Sequence, residues 1–182
     1  MRKGIVFLFC LVLLISVSGI AAQEEGGTLQ RVMDRGVLIC GVNQELAGFG
    51  SLNEAGEFEG FDVDFCRAIA AAIFGDADAV EYTPLTAPTR LPALSAGEVD
   101  VLIRNTTWTL SRDTQNGLDF GPTTFYDGQS IMVHTDSGMM TWADLDGAVI
   151  CTTSGTTTEL NIRDAMTARG LEYELLSFES TA

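Results

Sequence analysis

Two polar clusters hold most of the residue types that could grip a small anion. The first is Arg104-Asn105-Thr106-Thr107-Trp108-Thr109-Leu110-Ser111-Arg112-Asp113. Arg112 can hold a carboxylate through two parallel N–H donors, with the neighbouring hydroxyls and amide completing its shell. The same run also fits a solvated loop in which Arg112 pairs with Asp113. The second cluster is Cys151-Thr152-Thr153-Ser154-Gly155-Thr156-Thr157-Thr158-Glu159. A Gly turn opening a helix offers a concave set of backbone N–H groups suited to an anion. No lysine follows the glycine, so this is not a nucleotide loop. An ordinary capped helix, with Thr156 and Glu159 as a capping box, explains part of the same pattern.

The elements around these clusters alternate between strand and helix. Thr28 to Arg35 reads as a helix, with Thr28 at its cap and Leu29, Val32 and Met33 at helical spacing. Val37 to Val42 is a continuous apolar run, as in a strand buried on both faces. Gly56 lies in a turn between Leu52 and Phe58, which predicts a hairpin. Asp62 is placed to cap a helix over Val63 to Phe74, with Phe65, Cys66, Ile69 and Ile73 on one face. Strand Val80 to Tyr82, a short helix capped by Thr89 with Leu91 and Leu94 inward, and strand Val99 to Ile103 follow. The first cluster thus stands at the carboxyl end of a strand, where open α/β sheets bind ligands. Phe120 to Met132 reads as extended. The pattern then restarts with strand Ala148 to Thr152, helix Thr157 to Ala168, Gly170 as its stop and strand Tyr173 to Phe178. The spacing predicts parallel α/β units in two regions. Only one complete strand–helix–strand unit belongs to the second, too little to bury a core alone.

Charge and composition narrow the function. Met1-Arg2-Lys3, an apolar stretch to Ile20 and the small residues before Gln23 predict a signal peptide over 1–22 and export to the periplasm. Cys10 lies inside that stretch. The chain carries 10 basic against 25 acidic residues, a net charge of −15. Cleavage removes Arg2 and Lys3 and no acid, which argues against nucleic acid and anionic membranes as partners. His134 is the only histidine, and no CxxC pair occurs. Neither a catalytic histidine system nor a zinc site is indicated, and no motif calls for a cofactor. In an oxidising compartment Cys40 and Cys66 are candidates for a disulfide. Cys151 is then left over, as a free thiol, an intermolecular link or half of another pair.

Taken together, Gly60 to Ala68, Gly97-Glu98-Val99-Asp100-Val101, Arg104 to Arg112, Tyr126-Asp127-Gly128-Gln129 and Gly155-Thr156-Thr157-Thr158-Glu159 closely resemble the general L-amino-acid-binding proteins, bacterial family-3 solute-binding components of ABC importers. The resemblance covers Thr28 to Ala182. It implies an α/β fold of the periplasmic-binding-protein type II, with two α/β lobes and a ligand cleft. Lobe 1 would span 28–126, a hinge crossover 127–132 and a partial lobe 2 133–182. It implies a monomer that captures free L-amino acids and hands them to the membrane subunits of the importer, without catalysis. Arg112 matches the arginine that takes the α-carboxylate, Asn105 and Thr107 match lobe-one ligand positions, and Thr156 and Thr157 match the lobe-two helix start. Leu46 falls where many relatives stack an aromatic ring, which favours breadth of specificity. Members continue well beyond Ala182, and the acidic residue for the ammonium group and the partner of Cys151 would lie there. The alternatives on the same fold are a dehydratase of cyclic acids, resembling cyclohexadienyl dehydratase, and a sensor ectodomain.

Overall fold

The computed structural model describes residues 27–115 and 117–180. The expected signal peptide over 1–22, with Cys10, lies outside the described residues. Helix α1 (Thr28–Arg35) leads into strand β1 (Leu38–Val42), the centre of a parallel sheet in the order β5-β1-β6. Its flanking strands are β5 (Val80–Pro84) and β6 (Val101–Leu102). A central strand is covered on both faces, which accounts for the unbroken apolar run; Leu38, Cys40 and Val42 are at most 1% exposed. The expected strand over Val99 to Ile103 shortens because Asp100 turns to other work. Its carboxylate accepts from the Ile39 N–H at 2.8 Å and pairs with Arg35. In α1 the cap is Gly27 rather than Thr28, and only Val32 is buried.

In the sequence between β1 and β5 the chain forms a small antiparallel sheet of β2 (Glu45–Leu46), β3 (Gly50–Leu52) and β4 (Phe58–Glu59). The β3–β4 turn is organised by Asn53, whose Oδ1 accepts from the N–H groups of Ala55 and Glu57, each at 2.9 Å. Helix α2 (Phe61–Phe74) begins earlier than expected, with Gly60 and not Asp62 at its cap. Gly60 sits at φ +123°, and a Cβ there would stand 2.4 Å from the Phe49 carbonyl oxygen, so only glycine lets the chain enter the helix this way. Asp62 is carried into the first turn and buried, its N–H donating to the Phe49 carbonyl at 2.9 Å. Val63, Cys66 and Ala70 form the inner face of α2, with Ile69 and Ile73 packed beside them.

Helix α3 (Arg90–Ser95) buries Arg90 and Ala93, whereas Leu91 and Leu94 are only half-buried. Thr89 is its N-cap, as expected, but makes no side-chain capping bond; its hydroxyl accepts instead from the Thr86 N–H in the preceding turn at 3.0 Å. After β6 the chain forms the six-residue helix α4 (Leu110–Gln115). Residues 121–130 are exposed and carry no helix or strand. Two contacts pin this stretch. Phe125 packs edge-on against Phe49, centroids 5.0 Å apart. Gln129 donates to the Thr158 carbonyl at 3.1 Å and accepts from Asn161 at 2.9 Å.

The second unit consists of β7 (Ala148–Thr153), α5 (Thr157–Arg169) and β8 (Tyr173–Phe178), the strands parallel and paired from Ala148↔Tyr173 to Thr153↔Phe178. Leu145, Ile162 and Met166 form its core, with Ile150 and Leu175 packed against them. No helix among the described residues is long and apolar enough to cross a membrane.

Cys40 and Cys66 are joined, with Cα atoms 6.1 Å apart and a sequence separation of 26, tying β1 to α2 at the centre of the core. Closing a loop of that length restricts the unfolded chain and is worth about 3 kcal/mol. The double substitution Cys40→Ala with Cys66→Ala is therefore expected to lower the unfolding free energy by about 3 kcal/mol in urea titrations. An unchanged midpoint would mean that the bridge contributes nothing.

Candidate ligand cleft

The carboxyl ends of β1 and β6 run side by side and place Asn43 next to Asn105. The Asn43 amide donates to Asn105 Oδ1 at 3.2 Å, and the same oxygen accepts from Arg104 Nε at 3.2 Å and Nη2 at 2.9 Å. Arg104 also donates to the Leu85 carbonyl. Asn105 is thus a hub that fixes the start of the first polar cluster. Further along, Arg112 is 8% exposed and its Nη1 donates to the Thr107 carbonyl at 2.6 Å. The solvated loop with Arg112 tied to Asp113 is not the conformation adopted.

The facing wall begins with the turn into α5. Thr156 Oγ1 accepts from the Glu159 N–H at 3.1 Å and donates to the Thr153 carbonyl at 2.6 Å. The expected capping box is only half formed. Glu159 accepts from the N–H of Gly155, one residue before the cap, at 3.0 Å. Its other oxygen is held by Arg163 at 3.0 Å and Ser177 at 2.9 Å, and these partners keep its carboxyl below the usual range. Gly155 has φ +70°, and a Cβ there would approach Pro88 Cα to 3.2 Å. The two units therefore meet closely at this turn. They meet again where Thr107 Oγ1 and Thr157 Oγ1 lie 3.2 Å apart.

Between these walls is a cleft of about 350 Å³, bordered by Asn43, Arg104 and Asn105 on one side and by Cys151, Thr153 and Thr156 on the other. Of the six residues singled out by sequence, Asn105 and Thr156 line it. Thr107 and Thr157 touch one another, and Arg112 lies buried behind the Thr107 carbonyl. Leu46 does not line it. Its strand neighbour Glu45 does. The sequence reading passed over Asn43 and Arg90 and gave Arg104, within the first cluster, no role of its own; standing at the end of a parallel strand was a usable signal for Asn43 and Arg104.

The charges here are unusual. Arg90 is 2% exposed, and burial with the nearby Arg104 and Arg112 guanidiniums lowers its pKa to about 9. Burial likewise brings Arg104 down to about 10, against the opposing pull of Asp62 and Glu45, and lowers Arg112. Asp62, 4% exposed, is pushed up to about 6 by burial despite Arg104. His134 is exposed and borders no part of the cleft. Cys151 is a free, exposed thiol on the cleft wall. Among the described residues no group of three or more His, Cys, Asp or Glu could hold a metal ion.

Comparisons with known proteins place this architecture. Residues 38–176 match the family described as bacterial extracellular solute-binding proteins, family 3. The general L-amino acid-binding periplasmic protein of Rhizobium johnstonii is 48% identical over 160 residues, covering 88% of this chain and 47% of that one. The glutamate/glutamine/aspartate/asparagine-binding protein of Rhodobacter capsulatus is 49% identical over 154 residues, covering 85% and 46%. A solved periplasmic binding protein from Brucella ovis with glutathione bound superposes with a TM-score of 0.79 at 53% identity, covering 85% of this chain and 49% of that one. The chain spans about half the length of the curated relatives it matches.

The raised Asp62 carboxyl sets a pH dependence. Its folded form holds a proton that the unfolded chain releases between about pH 4 and 6. The stability this contributes is full below pH 3.8 and is lost as pH rises through about 6. Relative to Asp62→Asn, which cannot titrate, the unaltered protein is expected to lose about 2 kcal/mol between pH 4 and pH 7. Parallel stability–pH curves for the two proteins would show that Asp62 titrates normally.

Proposed function

From the premise that this chain belongs to the bacterial extracellular solute-binding proteins, family 3, we propose that the protein is an exported, monomeric receptor for free L-amino acids, which it hands to an ABC importer. The fold is of the periplasmic-binding-protein type II, a mixture of helices and parallel strands shared with periplasmic amino-acid-binding proteins. The observation that carries the proposal is the cleft bordered by both α/β units, which touch through Thr107 and Thr157. A ligand gripped from both sides stabilises the closed arrangement, and the importer can read closure as occupancy.

In this proposal residues 28–126 form the first lobe, 127–132 the crossover and 133–182 the part of the second lobe present here. Arg112 takes the α-carboxylate by exchanging its Thr107 carbonyl partner for a charged one. Asn105 and Thr107 add bonds from lobe one, and Thr156 and Thr157 from the start of α5. The ligands named for the three relatives support this choice. Free amino acids and the γ-glutamyl end of glutathione share one α-amino-carboxylate group. Export through the signal peptide over 1–22 would put the receptor in the periplasm. The role is binding and release, with no covalent step.

Calorimetric titration of the intact protein with L-amino acids, glutathione and a cyclic acid tests the proposal. Tight binding of several amino acids without turnover is expected. Consumption of the cyclic acid, with silence toward amino acids, would instead point to a dehydratase. Arg112→Ala is expected to weaken amino-acid binding by about a hundredfold or more, as removal of a buried charge partner does. Unchanged affinity would take Arg112 out of the site.

A further inference from the structure

Asn105 stands exposed at the cleft border, yet it is not free to choose which end of its amide it shows. Its Oδ1 takes three N–H donors: Arg104 Nε at 3.2 Å, Arg104 Nη2 at 2.9 Å and Asn43 Nδ2 at 3.2 Å. A guanidinium has donors and no acceptor, so the atom facing Arg104 must be the amide oxygen. Asn43 is oriented just as firmly. Its own oxygen accepts from the Glu45 backbone N–H at 3.1 Å, which leaves its amino end for Asn105. The donors therefore run in one direction, from Glu45 through Asn43 to Asn105. What remains for the cleft is the Asn105 amide nitrogen, which makes no hydrogen bond among the described residues.

Arg104 is equally committed, although it too borders the cleft. Its Nη1 donates to the Leu85 carbonyl, and the carboxylates of Asp62 and Glu45 act on its charge. With its donors divided between Leu85 and Asn105, it is a brace for the amide beside it.

We infer that Arg104 is a positioning residue: it holds the Asn105 amide with only N–H donors toward the cleft, so that Asn105 meets the α-carboxylate of the ligand and not its ammonium group. The inference rests on the amino-acid receptor proposed for the same cleft. Carboxylate oxygens accept and an ammonium only donates, so an amide turned the other way would reverse the preference.

The test is calorimetry on the intact protein, with whichever of L-glutamate, L-glutamine, L-alanine and L-arginine the unaltered form binds most tightly. Asn105→Asp keeps an oxygen for Arg104 and Asn43 but turns a second oxygen toward the cleft. It is expected to weaken binding by about tenfold or more, because a donated bond becomes repulsion between two carboxylates. Unchanged or tighter binding would mean that Asn105 serves the ammonium group, and would overturn the inference. Arg104→Met removes the donors that hold the amide and is expected to cost about tenfold, whereas in an Asn105→Ala background the same change should cost less than about twofold. Equal losses in the two backgrounds would mean that Arg104 acts other than through Asn105, and would overturn its role. Arg104→Lys, which keeps the charge and a donor, should restore part of the affinity. If Arg104→Met does not fold, the lysine variant takes its place in the cycle, where its loss should likewise disappear without the amide. Binding of none of the four amino acids by the unaltered protein overturns the receptor reading, and the inference with it.

Discussion

Parallel pairing of β1 with β6 brings two strand ends to the same edge of one sheet, and the first wall of the cleft hangs from that edge. In an antiparallel pair the two ends would leave in opposite directions. Here Asn43 and Asn105 emerge side by side, and a single amide oxygen gathers Asn43 and Arg104 onto itself. The core beneath keeps the strands in register. Cys40 bonds to Cys66, and the buried faces of β1 and α2 close around that bridge. A slip of one residue in β1 would exchange its two faces and carry Cys40 away from its partner. The position of the polar wall is therefore a consequence of apolar packing.

The second wall uses a different device. A helix start is rich in unpaired N–H groups, and Thr156 answers one of them. Glu159 reaches back to Gly155 and also holds Ser177 in β8, so the turn, the helix and the second strand are tied through one carboxylate. Gly155 lets this turn come against Pro88 without a side chain in between. Buried arginines on the first wall then face a turn that offers backbone atoms and hydroxyls but no carboxylate from α5. Within a protein of net charge −15, the cleft border carries Arg104 with the carboxylates of Glu45 and Glu179, while Arg90 and Arg112 are buried. Charge near a ligand and charge over the whole surface are separate quantities here, and only the first concerns selection.

Much of this was legible in the sequence, and the failures have common causes. The β7–α5–β8 unit came out within a residue or two, because its periodicity is clear and Gly170 marks the helix end. The cysteine pair followed from compartment and counting. Asp62 looked like a helix cap because its side chain suits one. Tertiary packing instead moved the helix start to Gly60, where the close Phe49 carbonyl excludes a side chain. Leu91 and Leu94 looked inward because leucine usually is, yet the inner face of α3 belongs to Arg90 and Ala93. In each case a local preference was outvoted by a neighbour distant in sequence.

The two pins on the connecting segment carry a mechanical consequence. Phe125 is locked into the aromatic cluster of Phe49 and Phe61, so the chain up to that point travels with the first unit. Gln129 is bonded at both ends of its amide to α5 and travels with the second. Only Tyr126, Asp127 and Gly128 lie between, all of them exposed. Rotation carried by this connection must be taken up in the backbone torsions of those three residues, with Gly128 as the least restrained. Those three residues span at most about 10 Å of chain.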